Sequence, residues 1–269
     1  MIRALKNLIN RFPGLRLPAR LCYAALLDLK NAFLYVLVVH LGYKPQSLSF
    51  GGQDRWVIDE VFRGKRDGFF LDLGAADGFS ESNTYILEKI YGWRGICIEP
   101  NPLLFKQLTE KFKRTCTCVQ KVVDAEESDV EFMFSGQMGG IIHEDTDNNP
   151  NQRSGRIEKS REAGRINMVK TTTLEKILDQ LGAPSIIDYF TIDVEGAETR
   201  ILRNFPFDKY TFLALTIERP SAELNAVLFG NGYRFVRNSV EDTFYVHESV
   251  ESIETIKRDT FVQQPPKNF

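Results

Sequence analysis

Phe69-Phe70-Leu71-Asp72-Leu73-Gly74-Ala75-Ala76-Asp77-Gly78 is a compact apolar run that stops at an acid and two glycines. A short apolar run closed by a glycine turn reads as a strand buried on both faces. Just downstream, Ser80, Ser82 and Asn83 are candidate caps for a helix with Tyr85, Ile86 and Ile90 on one face. Gly92 closes that helix, and residues 95–98 supply the next strand, which ends at Glu99. Strand, glycine turn, helix and strand in this order form the repeating unit of a parallel sheet.

The alternation continues in both directions. Upstream lie a polar lead-in (47–54) and a short helical pattern (56–62). Downstream, Asn101-Pro102 pairs a cap residue with a proline at the first turn, and Leu104, Leu108 and Phe112 make one buried stripe. Residues 116–123 read as a third strand ending at Asp124, with a shorter strand over 130–134 beside it. Residues 143–167, centred on Asn148-Asn149-Pro150-Asn151, are polar and weakly patterned, and read as a long loop. A helix over 173–181 follows, and Ile186–Ile192 is the most apolar strand of all, running into Asp193-Val194-Glu195-Gly196. A helix over 198–204, a strand over 212–217 ending at Glu218, a helix over 221–230 and a hairpin-like pair (233–236, 243–246) complete the chain. The fold class is therefore α/β: a doubly wound, mostly parallel sheet with an antiparallel edge, in one domain behind an N-terminal extension.

Composition narrows the function. In 269 residues, 43% are hydrophobic and 12% aromatic, which excludes a disordered chain. The 34 basic and 36 acidic residues leave a net charge of −2, without the basic excess of a nucleic-acid binder, so no nucleic-acid partner is expected. Cys22 and Cys97 sit in apolar surroundings and read as small core residues, while Cys116 and Cys118 share one face of a strand. No Cys or His pair stands at zinc-finger spacing, so reduced thiols and a cytoplasmic location are expected.

Residues 1–45 read as a basic, apolar, helical extension, and 46–269 as the functional domain. Arg3, Lys6, Arg11, Arg16, Arg20 and Lys30 face a single acid, Asp28. The apolar stretch over 32–41 is about half the roughly 20 residues that span a bilayer. Two readings stand: a helix docked on its own domain, or a peripheral helix on an anionic membrane surface.

In doubly wound sheets, ligands gather at the carboxyl ends of the strands. Five such ends carry an acid here: Asp72, Glu99, Asp124, Asp193 and Glu218. Together they place negative charge along one rim. The loop from Gly74 to Gly78 lacks the third glycine of a dinucleotide-binding fingerprint, which argues against NAD. Glu99, 21 positions beyond Gly78, can accept hydrogen bonds from both ribose hydroxyls of an adenosyl ligand. A glycine loop and a ribose acid with little provision for phosphate suit S-adenosylmethionine.

The run 69–78, with Ser82-Asn83-Thr84, Gly92-Trp93-Arg94-Gly95 and Ile98-Glu99-Pro100-Asn101, resembles the FkbM-type methyltransferases, class I enzymes that use S-adenosylmethionine. Gln53-Asp54, Thr173-Leu174, Ile192-Asp193-Val194-Glu195-Gly196-Ala197-Glu198 and Ile217-Glu218 are similar to further blocks of that family. Ala76 stands where many members carry Asn. The resemblance implies seven strands, the last antiparallel, with the cofactor over the first two strand ends. Asp72, Gly74 and Gly78 would then shape the methionine pocket, with Asp77, Ser82 and Asn83 near it and Ala75 and Pro100 also contacting the cofactor. Glu99 would hold the ribose and Asp124 would face the adenine amine. Asp193, Glu195 and Glu218 would form the acceptor side, with the 143–167 loop as a lid. The implied reaction is O-methyl transfer to a sugar, a glycan or another small molecule.

Methyl transfer to oxygen needs alignment and a deprotonated nucleophile. Asp193 or Glu195 is the candidate base, and Asp193 with Glu218 the candidate ligand pair for a divalent cation such as Mg²⁺. Glu195 and Glu198 also suit the opening of a helix. His40, His143 and His247 are poorer candidates, and Trp93 is either core or a cover for the adenosine. Two rival functions remain open. A nucleotide-sugar glycosyltransferase would use Asp193-Val194-Glu195 as its metal motif, and a non-catalytic adaptor would keep the fold without the cofactor.

Overall fold

The computed structural model describes residues 29–30 and 33–265. The chain divides into two units, Met1–Gln46 and Ser47–Phe269. In the first unit, residues 33–40 are helical. The basic positions from Arg3 to Arg20, Cys22, Asp28 and the side chain of His40 lie outside what is described. Among the described residues no helix is long and apolar enough to cross a membrane.

In chain order the second unit opens with a helical segment α1 (53–61), β1 (Phe69–Leu73), α2 (Tyr85–Lys89) and β2 (Arg94–Ile98). Next come α3 (Pro102–Lys106, prolonged by a turn to 111), β3 (Thr117–Val119), β4 (Val122–Val123), β5 (Asp129–Met133) and β6 (Gly140–Ile141). Then follow α4 (Pro150–Glu162), β7 (Ile166–Thr172), α5 (Leu174–Gln180), β8 (Ile186–Ile192) and α6 (Glu198–Leu202). The unit closes with β9 (Thr211–Glu218), α7 (Ala222–Gly230), β10 (Tyr233–Ser239) and β11 (Asp242–His247).

Seven strands form the main sheet in the order β10-β11-β9-β8-β1-β2-β3. All run parallel except β11, which is antiparallel to both neighbours. This is the expected doubly wound sheet with its antiparallel last strand. The alternation of β1 explains the two layers. Leu71 and Leu73 point to one face, where Leu178 of α5, Leu202 of α6 and Leu224 and Leu228 of α7 bury them. Phe70 points to the other, against Trp56 and Val57 of α1, Leu87 of α2 and Leu108. Each such large apolar side chain, removed from water, contributes about 1.5–3 kcal/mol.

The caps follow the sequence. The Asn101 side chain accepts the Leu103 and Leu104 N–H groups with Pro102 at the first turn. Thr173 and Ser221 cap α5 and α7 in the same way.

Three expectations need correction. Residues 116–123 are not one strand: β3 ends at Val119, exposed Gln120 and Lys121 intervene, and β4 pairs with β7 in a second sheet of order β4-β7-β5-β6. Asp124 therefore ends a strand of the small sheet and does not sit on the main rim. The segment near 130–134 does not lie beside β3 either, because β5 pairs antiparallel with β7. The span 143–167 is not a long loop. It holds the thirteen-residue helix α4, capped by Asn149 with Pro150 at its first turn, and the start of β7.

Candidate active site

A cleft of ≈ 390 Å³ opens at the carboxyl ends of β1, β2, β8 and β9, beside the β1/β8 crossover where strand order reverses. Asp72, Gly74, Ala75, Ser82, Asn83, Glu99 and Pro100 line it, as do Asp193, Glu195 and Glu218. Four of the five acidic strand ends thus share one wall. Asp77, Gly78 and Asp124 are not on it.

The first end of the cleft is fixed by a backbone turn. After Leu73 the chain enters Gly74 at φ +91°, where a β-carbon would stand 1.9 Å from the Asp193 carbonyl oxygen. Only glycine lets the two turns touch. Gly74 and Ala75 donate their N–H groups to the Ile98 carbonyl at 3.0 and 3.1 Å, tying the turn to β2. Ala76, at φ +50°, turns its N–H onto Glu99 Oε2 (2.9 Å), and the Asn101 N–H reaches Oε1 (2.7 Å). Each oxygen keeps further acceptor capacity for a ligand. Burial pushes the Glu99 carboxyl up to about 7, opposed by these two backbone donors. The departure at Ala76 acquires a meaning here, because Asn tolerates the left-handed region and alanine does not.

Asp72 is buried and accepts the Thr84 hydroxyl at 2.6 Å. Burial raises its carboxyl to about 6, against the pull of Arg114. Sequence reading passed over Arg114, whose charge is fully enclosed. Its Nε donates to Glu88 Oε2 at 2.7 Å, Nη1 to the Gly78 carbonyl at 3.0 Å and Nη2 to Thr84 Oγ1 at 2.8 Å. It thereby clamps the loop that follows the glycine turn. Those partners lie 26 to 36 positions away, so no local spacing announces them.

The remaining candidates of this end divide. Asp77 accepts the Phe79 and Ser80 N–H groups, which makes it a turn residue. Gly78 matters for packing, since a β-carbon would lie 2.5 Å from Leu108 Cδ1. Ser82 accepts the Tyr85 N–H at 3.1 Å and so opens α2 while also lining the cleft. Asn83 donates to Thr191 Oγ1 at 2.9 Å, and its buried Oδ1 has no partner. Asp124 is placed differently from expectation: Arg200 holds both its oxygens, at 2.9 and 2.8 Å. Trp93 is buried, donates to the Lys65 carbonyl and lies outside the cleft. His143 stays on the surface between Asp145 and Arg200.

The second end is a gathering of carboxylates. Asp193 opens onto the cleft from the end of β8, Glu218 from the end of β9 and Glu195 from the turn between β8 and α6. Asp193 is exposed to the cleft, yet crowding at the cleft floor, with the Glu195 and Glu198 charges beside it, raises its carboxyl to about 7, and burial with the Glu218 charge lifts Glu198 to about 8. Glu198 accepts the Val194 N–H at 2.9 Å, the helix-opening role its position suggested. Arg219 pairs with Glu218 and Glu241. Oxygens of Asp193, Glu198 and Glu218 lie within 4.8 Å of one another, as do those of Asp147, Glu195 and Glu218.

The small sheet supplies the opposite wall with Val122, Val123, Phe132 and the 136–141 loop. Its return loop is stitched to the acidic turn by the Asp147 N–H, which donates to the Glu195 carbonyl at 2.9 Å. Beside it Asn148, 1% exposed, presses against Gly140, and neither end of its amide has a partner.

The cleft falls within the size range of a cofactor-sized ligand. Its lining fits an adenosyl group: a carboxylate acceptor at Glu99 for the ribose hydroxyls and, among the described residues, Lys121 as the one cation of the lining.

No curated protein matches the chain. Among solved structures, it resembles the precorrin-6y C5,15-methyltransferase of Geobacter metallireducens GS-15 at 11% identity, over 76% of this chain and 91% of that one, with a TM-score of 0.39. It also resembles a human methyltransferase 10 domain containing protein at 13% identity, over 72% and 78% of the two chains, with a TM-score of 0.34. The FkbM methyltransferase domain matches residues 72–235, from the first acidic strand end to the penultimate strand, and the chain belongs to that family.

Proposed function

We propose that this chain moves a methyl group from S-adenosylmethionine to a hydroxyl oxygen of a sugar, a glycan or another small molecule. The observation that carries this reading is a single cleft with an adenosyl-type donor set at one end and an acceptor-type carboxylate set at the other. Family membership supports the cofactor and lends no support to the glycosyltransferase reading of Asp193-Val194-Glu195.

When bound, the cofactor supplies a methyl group already activated on a sulfonium. The chain's own residues do the rest. Glu99 accepts the ribose hydroxyls, and the Gly74–Ala76 turn fixes Glu99 against the cleft. Asp193 faces the acceptor end and takes the hydroxyl proton, while Glu195 and Glu218 orient neighbouring hydroxyls. Holding the two reactants in line supplies on the order of 7–11 kcal/mol in favourable cases.

A second reading of the acceptor end is a Mg²⁺ ion on Asp193 and Glu218, supported by the closeness of their oxygens with Glu198.

The test is calorimetric titration of S-adenosylhomocysteine into wild type and Glu99→Ala, followed by methyl transfer to monosaccharide acceptors with Mg²⁺ or with EDTA. Micromolar binding that collapses in the variant supports the cofactor site. Binding without transfer to any hydroxyl acceptor counts against O-methylation. A folded wild type that binds nothing is the adaptor's signature. Loss of turnover in EDTA favours the metal reading.

A further inference from the structure

Behind the cleft, on the face of β2 and β3 that packs against α1 and α2, three cysteines meet. Cys97 of β2 is fully buried, while Cys118 on β3 beside it and Cys116, in the bend that leads into β3, are half-buried. Cys116 Sγ stands 3.4 Å from Cys97 Sγ, and the Cys118 thiol is turned toward the Cys116 carbonyl at 3.5 Å. The enclosed Arg114 guanidinium is in electrostatic reach of both Cys97 and Cys116. The Cys118 and Cys97 thiols, and then Arg114, draw the Cys116 thiol below its ordinary range, whereas burial pushes Cys97 up. A partly exposed thiolate beside a cation, with a second thiol in contact, is the arrangement of an oxidisable pair.

We propose that Cys97 and Cys116 are a peroxide-sensitive dithiol whose closure to a disulfide loosens the cofactor end of the cleft. The oxidant is a hydroperoxide. Cys116 thiolate sulfur attacks one peroxide oxygen and the O–O bond breaks, giving a sulfenic acid and hydroxide, which takes up the proton that Cys116 had released to solvent and leaves as water. Cys97 sulfur then displaces the sulfenic hydroxyl, which leaves as a second water with the Cys97 proton. In total two thiols lose two electrons, and one hydrogen peroxide becomes two waters.

Closure draws the sulfurs from 3.4 Å to a bonded distance of about 2.05 Å. It also removes the negative charge that Cys116 presents to Arg114. Arg114, two positions before Cys116, holds the Gly78 carbonyl and Thr84, and Thr84 holds Asp72. Movement at Cys116 therefore reaches the cleft through one bonded chain. This last consequence rests on the cofactor reading above, while the disulfide itself does not.

The experiment treats the full-length reduced protein with equimolar hydrogen peroxide and maps tryptic peptides without reductant. The expected product links peptide 95–106 to peptide 115–121, with fragmentation placing the bond at Cys116. It disappears with dithiothreitol and in Cys116→Ser, and it persists in Cys118→Ser, both variants being checked for fold by circular dichroism. S-adenosylhomocysteine affinity is expected to fall at least threefold in the linked protein and to return on reduction. A sulfinic or sulfonic acid on Cys116 without the link, a link through Cys22 or Cys118, or unmodified thiols overturns the dithiol. A linked protein with unchanged affinity overturns the coupling to the cleft. Should the reduced protein bind no S-adenosylhomocysteine, the proposed function and the coupling both fall, and the peptide map alone decides the dithiol.

Discussion

At one end of the cleft Glu99 is held by two backbone N–H groups, Gly74 is jammed against the Asp193 carbonyl and Arg114 is bonded on every arm. At the other, Asp193, Glu195, Glu198 and Glu218 crowd together, and Asn148 leaves an amide unpaired beside them. The first end is made of backbone and admits little change of shape. The second is made of acidic side chains set at strand ends and in the turn after β8. A cofactor that is always the same suits the rigid end. An acceptor, which arrives with its own hydroxyls, suits the other.

The contrast breaks most severely at Gly74. Gly74→Ala would put a β-carbon into a carbonyl oxygen at a left-handed φ, so loss of the folded state is expected, at about 4 kcal/mol or more. Gly52→Ala, at φ +81° with open space around it, should cost only about 1–2 kcal/mol. Thermal melts of the two variants check the pair.

Asp193→Asn tests the opposite end. Turnover should fall by about 10²–10⁴ as expected for a lost general base. S-adenosylhomocysteine affinity should stay within about threefold, because the role proposed for Asp193 is toward the acceptor and not the cofactor. Equal losses in affinity and turnover would erase the division into two ends.

Glu99→Gln should weaken S-adenosylhomocysteine by about tenfold to a hundredfold, the range of one or two hydrogen bonds to a charged group. Wild-type affinity should also depend on pH. With its folded-state pKa raised to about 7, the Glu99 carboxyl is protonated below that value and loses acceptor capacity. Binding is therefore strongest above pH 8 and falls about tenfold by pH 6, one unit to either side of that pKa. A Glu99→Gln titration that keeps the same slope would assign it to another group.

The smallest effect is expected at Ala76. Each end carries a non-glycine residue in the left-handed region, Ala76 at φ +50° and Glu195 at φ +56°. Ala76→Asn should raise stability by about 1 kcal/mol and leave affinity unchanged, as seen in denaturant midpoints.

The rigid end was largely legible in the sequence, because its logic is local. A five-residue strand with four apolar side chains, a glycine and an acid at the next strand end are all read within a short window. The acidic end was half legible. Its acids stand at strand ends, but the wall facing them comes from a separate small sheet, and neither that sheet nor α4 within it is apparent from the pattern. Asn149-Pro150 is the same capping signal as Asn101-Pro102, and only the latter was followed by an apolar stripe. In α4, Ile157 is the one buried apolar side chain, so periodicity had nothing to register. The break between β3 and β4 was hidden for the opposite reason, since the strand-like pattern continues across Gln120 and Lys121. Asp124 was misplaced with it. Arg114 and the Cys97–Cys116 contact depend on pairings across strands, which a single chain does not spell out.

The small sheet leaves and rejoins the main fold at neighbouring points, because β4 and β7 run side by side with Val122 opposite Thr171. Everything between them, including the wall that faces the acidic end, is thus hung from a gap of one strand spacing, about 4.8 Å. A cassette with its two attachment points so close can be exchanged for another of different length without moving the strands that hold Glu99 and Asp193. Such a layout lets acceptor choice diversify by transplantation while the catalytic frame is inherited intact.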